Sequence, residues 1–284
     1  MFKRILILNL ILITFAFSQE SFLYRESRFT LFPASKLFLA NSSNVFEPKI
    51  GVGYFLEKSE LAMNIGVSRD LIHYHFNPRY SFGFGTEFFS WSLLEQKSNF
   101  RFPVKAVDYM FGSYFVLNAK YKYFNISNRL RINHISAHLS DGSYDNLTDK
   151  WLANQEPSTY SREFLQWTSS IIYRQIRGYI DLTYIFHTIP EIKGKNIYGL
   201  GFEASILHLP SVRSTFFAGF DISLQKRLSN KFIADRNFST GFFIGNPRFT
   251  HLRITYQYFN GYNFFGQFNS EKLNRSSINV SLIL

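Results

Sequence analysis

The sequence predicts an all-β fold, an antiparallel transmembrane β-barrel of about twelve strands, on three observations. Apolar and polar residues alternate with period two in segment after segment. The chain holds 34 Phe and 17 Tyr among 284 residues, yet its mean hydropathy is only −0.09. Long and short connections also take turns between the segments.

Alternation is read by taking every second residue. Phe216, Ala218, Phe220, Ile222 and Leu224 form one face, with Thr215, Gly219, Asp221, Ser223 and Gln225 on the other. Leu252, Ile254, Tyr256 and Tyr258 alternate with His251, Arg253, Thr255 and Gln257. Ile180, Leu182, Tyr184 and Phe186 alternate with Asp181, Thr183 and His187. A strand presents successive side chains to opposite faces, so these patterns fit a sheet wet on one side and oily on the other. Aromatics flank each apolar face, as the interfacial girdles of a membrane barrel require. The same scan places strands near 50–57, 60–68, 79–90, 104–117, 128–140, 161–175, 178–188, 196–208, 213–226, 236–245, 249–260 and 272–284. A soluble β-sandwich would bury its apolar face and has less use for so many strand-end Phe and Tyr.

Connections after odd strands are mostly long, at 91–103, 141–160, 189–195, 227–235 and 261–271, and several after even strands are tight, such as Ile176-Arg177 and Asn246-Pro247-Arg248. Long loops outside and short turns in the periplasm are the asymmetry of bacterial outer-membrane barrels. The parity is poorer near 69–78 and 118–127, and the 57–60 connection is short.

The first residues read as an export signal. Lys3 and Arg4 precede the apolar run Ile5–Phe17, and Ala16-Phe17-Ser18 supplies small residues for cleavage. That run of about 13 residues would rise only about 20 Å as a helix, short of the roughly 30 Å hydrocarbon core. The expected organisation is a signal peptide at 1–18, a periplasmic or luminal segment at 19–48, and a barrel at 49–284, located in the cell outer membrane. The formal charge of +11 suits anionic outer-membrane lipids as partners rather than nucleic acid. A chain of this type also meets the barrel-assembly machinery during biogenesis, and a monomer is expected. The absence of cysteine decides nothing about compartment.

Chemistry concentrates in Arg129–Gly142, where His134, Ser136, His138 and Ser140 share one face with Leu130 and Ile132. If the strand is regular, that face is the lipid side. A bulge near Asn133 would instead turn the polar groups into the lumen. A His and a Ser two residues apart near the outer leaflet suit a general base and a nucleophile aimed at an acyl ester. Pairing across the 141–160 loop sets Ser140 opposite Ser161 and His138 opposite Glu163, which makes Glu163 a candidate orienter of the imidazole, with Asp141 and Asp145 as alternatives. His73 and His75 lack a third ligand at a defensible spacing, so no metal site is expected. Asp108, Arg131, Arg162, Asp181, Glu203 and Asp221 suit a charged luminal network. No Walker A loop or G-x-G-x-x-G occurs, so nucleotide chemistry has no support. No cofactor is expected, except calcium if the protein is a phospholipase.

Several runs resemble an uncharacterised bacterial outer-membrane family, domain of unknown function 1207: Leu31–Phe38, Phe102-Pro103 with Val107-Asp108-Tyr109, His134–Asp141, Tyr160–Glu163, and Gly261-Tyr262 with Gly266-Gln267-Phe268. The resemblance implies a membrane β-barrel and no assigned activity. Ala137, Ser140 and Gly142 depart from the family's usual run, and no acidic residue follows Asp141. The His134-x-Ser136 spacing is also similar to that of outer-membrane phospholipase A and a lipid A deacylase. Their polar orienting residue follows the Ser about a dozen positions on; here that point is Thr148, with Asn146 and Asp149 nearby, so the similarity fails at the third member. Two expectations follow: a structural barrel or narrow pore, or alternatively a lipid acyl hydrolase using Ser136, His134 (or His138), and Glu163 or Asp141.

Overall fold

The computed structural model describes residues 28–145, 147–152, 156–227 and 231–284. The expected signal peptide lies outside these residues, as does the start of the 19–48 segment.

Twelve antiparallel strands close on themselves. In chain order the elements are β1 (Arg28–Leu31), β2 (Ile50–Phe55), β3 (Glu60–His75), β4 (Tyr80–Glu95), β5 (Val104–Lys120), β6 (Phe124–Leu139), β7 (Tyr144–Asp145), β8 (Lys150–Trp151), β9 (Tyr160–Tyr173), β10 (Ile176–Ile189), β11 (Asn196–Leu209), β12 (Ser214–Gln225), β13 (Ile233–Ile244), β14 (His251–Tyr262) and β15 (Lys272–Ile283). Strands β2 to β6 and β9 to β15 form the wall. Each pairs with the next, and β15 returns to β2 to close it. The β7–β8 ribbon belongs to the long loop after β6.

The wall is inside out relative to a soluble protein. On β5 and β6, Phe111 and Ile132 are 52% and 53% exposed, whereas Asp108 and Arg131 are 0% and 3% exposed. Burying an ionised group is tolerated when it is paired and hydrogen-bonded, and the interior supplies such partners. Lipid is the only solvent that suits the outer stripe of Phe, Ile and Leu.

Strand ends correct two features of the sequence reading. β3 continues to His75, and β5 and β6 meet at a tight turn over 121–123. The connections at 76–79 and 121–123 are therefore short, which restores the loop parity at both places; the four-residue connection at 56–59 is the exception at the long-loop rim. The cause on β3 is a register shift between Asp70 and Ile72, which breaks the alternation a periodicity scan relies on.

β1 and β2 lie along the same neighbour, β3, at its two ends. Between them residues 32–49 leave the wall and fold into the lumen. Leu37 and Phe38 pack with Tyr114 and Val116. Leu37 N–H donates to Asp70 (2.9 Å), Arg177 donates to Leu39 and Ala40 carbonyls (2.8 and 3.0 Å), and Ser43 shares a 2.6 Å hydroxyl contact with Ser239. Glu47 lies between Arg129 and Arg131. These contacts reach β3, β5, β6, β10 and β13, so the segment is a plug.

Candidate functional site

The site begins with the phase of β6. Its register with β5 and with β9 runs without a shift from Asn125 to Ala137. No bulge occurs at Asn133, and Asn133 itself points inward and donates to Glu87 (2.6 Å). His134 and Ser136 therefore share the outer face with Ile132.

Across the strand pair, His134 sits opposite Glu163 and Ser136 opposite Ser161. The expected register, with His138 opposite Glu163, is off by four residues. The last β6–β9 pair is Ala137 with Tyr160, and 140–159 is a loop with its own turn and ribbon rather than a symmetric hairpin.

A carboxylate only accepts, which fixes the donors around Glu163. His134 Nδ1–H donates to Glu163 Oε1 at 2.6 Å, and Ser161 Oγ–H donates to the same oxygen at 2.8 Å. His187 Nδ1–H donates to Oε2. With Nδ1 engaged, His134 Nε2 is the nitrogen left to accept a proton. Ser136, two residues along the same face, is partly exposed, and no hydrogen bond among the described residues engages its hydroxyl. The Phe111 ring lies 4.9 Å from the His134 ring, and below them Ile132 pairs with Leu165 on the apolar stripe. Imidazole, hydroxyl and carboxylate thus stand at the long-loop rim, where oily wall meets polar surface.

The other candidates fall elsewhere. His138 lies one step beyond the last β6–β9 pair, edge-on to Tyr109 at 6.0 Å. Asp141 sits in a 3-10 turn, accepting from Ser140 Oγ (2.9 Å) and Gly142 N (3.0 Å), and does not reach His134. Asp145 is committed to its own loop through Leu147 N and Thr148. His73 bonds Asp70 (2.7 Å) and His75 lies 2.7 Å from Ser81, which gives both imidazoles structural partners. Among the described residues no group of three or more His, Cys, Asp or Glu is arranged to hold a metal ion.

Sequence reasoning missed His187. Regular alternation sends it inward with Asp181 and Thr183, but the β9–β10 register slips between Ile185 and His187. Phe186 and His187 are both exposed, and Thr188 returns to the interior. A bulge of this kind re-aims one side chain. No signal in the alternation announces it.

The expected luminal charges are buried or half-buried but pair with residues outside the expected set, and Asp108 takes the Gly266 N–H (2.6 Å) rather than an ion-pair partner. Arg131 holds Glu47 and Glu87 (both 3.0 Å), Arg177 holds Glu203 (3.2 Å), Tyr179 donates to Asp221 (2.7 Å), and Thr168 donates to Asp181. An apolar outer wall, a polar and filled interior, and loops long at one rim and short at the other define an outer-membrane β-barrel, and the outer membrane is its location.

Two solved structures with TM-scores just above 0.5 share that fold. The calcium-bound outer membrane phospholipase dimer of Salmonella typhi aligns with a TM-score of 0.51 at 12% identity, covering 85% of this chain and 94% of its own. An active-site mutant of Escherichia coli outer membrane phospholipase A aligns at 0.52 and 12%, covering 85% and 93%. LpxR from Salmonella typhimurium aligns at 0.35 and 10%, covering 79% and 88%. At such identities the likeness is one of fold. No protein-family model and no curated protein sequence matches the chain, so the resemblance to domain of unknown function 1207 is not confirmed.

Proposed function

We propose that the protein is an outer-membrane acyl-ester hydrolase acting on lipid at the bilayer surface. In this reading Ser136 is the nucleophile, His134 the general base, and Glu163 the group that orients the imidazole. The observation that carries it is the 2.6 Å bond from His134 Nδ1 to Glu163 on the lipid-facing rim, with Ser136 two residues along the same face. A nucleophile, a base and an orienter are the parts an activated serine requires.

The steps use only these groups. Ser136 Oγ attacks the ester carbonyl carbon while His134 Nε2 takes its proton. The imidazolium then protonates the departing alcohol oxygen, leaving an acyl-serine. Water, deprotonated by the same nitrogen, attacks the acyl group, releases the fatty acid and returns the proton to Ser136. Glu163 fixes the tautomer and stabilises the imidazolium without itself becoming protonated. Apolar side chains below the site suit an acyl chain still embedded in the leaflet.

Calcium was expected for a phospholipase. The carboxylates nearest Ser136 are already committed, Glu163 to two imidazoles and Asp141 to its own turn, so the residues present do not form a cage for it. No step is assigned to the ion. A pore has less support, because 32–49 occupy the lumen.

Purified protein in mixed micelles tests the proposal. The expected result is fatty acid release from phospholipid or lipopolysaccharide, abolished in Ser136→Ala, with a fluorophosphonate probe labelling Ser136 in the wild type. Equal, zero release by both proteins on both substrates, with and without calcium, removes the reading.

A further inference from the structure

His187 is left over once Ser136, His134 and Glu163 are assigned. A barrel wall has no need of it: the outer stripe of β10 is Ile180, Leu182, Tyr184 and Phe186, and period two would carry His187 into the lumen. The register shift between Ile185 and His187 turns it outward and sets it opposite Glu163.

The geometry at Glu163 shows what the bulge achieves. The terminal torsion of a glutamate is broad and nearly two-fold, so a bond to one oxygen does not by itself fix the plane of the carboxylate. Here both oxygens are held from opposite neighbouring strands, Oε1 by His134 of β6 and Ser161, and Oε2 by His187 of β10. The tautomer of a histidine is set by the hydrogen bond its other nitrogen makes. An acceptor that could swing away would let His134 exchange its proton to Nε2, where it can no longer act as base.

We propose that His187 is a positioning residue: by anchoring the far oxygen of Glu163, it holds His134 in the Nδ1–H form with Nε2 unprotonated. Its consequence for turnover rests on the hydrolase reading; its effect on the His134 tautomer does not. His187 touches neither the ester nor the reacting atoms.

Two variants separate the roles. His187→Leu removes the donor, and His187→Gln keeps an N–H that reaches Glu163. The primary measurement is the His134 tautomer in micelles, by nitrogen NMR of 15N-histidine-labelled protein, with the resonance assigned by its loss in His134→Gln. The expected result is Nδ1–H in wild type and His187→Gln, with a shift toward Nε2–H in His187→Leu. Turnover in His187→Leu should fall about 10- to 100-fold in kcat, the usual cost of losing an outer-shell orienter, with KM unchanged and recovery in His187→Gln. A His187→Leu tautomer equal to wild type overturns the inference whatever the activity. So does a shift that His187→Gln fails to reverse. A reversed shift in protein that hydrolyses nothing supports the positioning role and sinks the hydrolase reading alone.

Discussion

Glu47 Oε2 accepts a 3.0 Å hydrogen bond from Arg131 Nη2, while its other oxygen takes Arg129, so one carboxylate of the plug binds two guanidiniums of the wall. All three side chains are buried. Removing one partner of a buried pair costs about 3–5 kcal/mol, because the remaining charge is stranded out of water. Glu47→Leu strands Arg129, while Arg131 keeps Glu87. The expected outcome is a plug that undocks before the wall unfolds. Planar-bilayer recordings should be silent for wild type and show stepwise conductance for Glu47→Leu. Conductance in the wild type would mean that the plug does not seal the lumen.

Acid should act on the same contact. Burial alone would push the Glu47 carboxyl up, but Arg129 and Arg131 outweigh it and hold it well below the usual carboxylate range. A depressed carboxylate contributes stability that is complete above its unfolded value and is lost as pH falls through its folded value. The contribution of Glu47 should therefore be whole above the ordinary 4.5 and decline only below it. Conductance against pH should stay flat through the neutral range and rise on the strongly acid side. A rise near neutrality would assign plug release to another group.

Much of the wall was legible because alternation is local: Phe216 to Leu224 and Leu252 to Tyr258 declare their faces without reference to a partner. The phase of His134 and Ser136 was not, because Leu130 and Ile132 on one face and Ile135, Ala137 and Leu139 on the other make equally apolar stripes, and only the unbroken β5–β6–β9 register decides between them. The pairing of His134 with Glu163 was not, since a loop over 140–159 hides the register and a wall pairs by contacts invisible in either strand. His187 was hidden by a bulge and β3 by another. The plug was hidden by distance, as Glu47 meets Arg129 at a separation of 82 residues. Its short apolar clusters become intelligible only once Tyr114 and Val116 are beside Leu37 and Phe38.

Two glycines of the wall have a specific task. Tyr179 lies across Gly201 of the adjoining strand and donates to Asp221, and Tyr114 lies across Gly85 and donates to Asp70 (2.6 Å). A Cβ at either glycine would overlap the tyrosine ring. Gly201→Ala or Gly85→Ala must displace the ring and strand a buried aspartate, and overpacking of this kind costs about 1–3 kcal/mol. Both variants should unfold at lower denaturant or temperature than wild type in the same detergent. Gly178→Ala, where a Cβ meets nothing within 4 Å, should leave the midpoint in place. An unchanged midpoint for Gly201→Ala would show that Tyr179 has room to move.

Glu163 is the test of which residues belong to the site. Neutralising the acid of a Ser–His–acid triad costs about 10,000-fold in kcat, because the imidazole is left in the wrong tautomer. Here Ser161 bonds the same carboxylate oxygen as His134 and is the hydroxyl that remains when the acid is removed, so Glu163→Leu should lower kcat by about 100- to 10,000-fold and leave KM within a factor of a few. His138 and Asp141 were the alternative base and orienter on sequence alone, but neither side chain contacts Glu163, and His138→Ala and Asp141→Asn should each release fatty acid at the wild-type rate. Initial rates on one micellar phospholipid, for all four proteins checked for folding by circular dichroism, decide the matter. If Asp141→Asn is as impaired as Glu163→Leu, the loop after β6 closes onto the site in a conformation other than this one, and the orienter has to be reassigned.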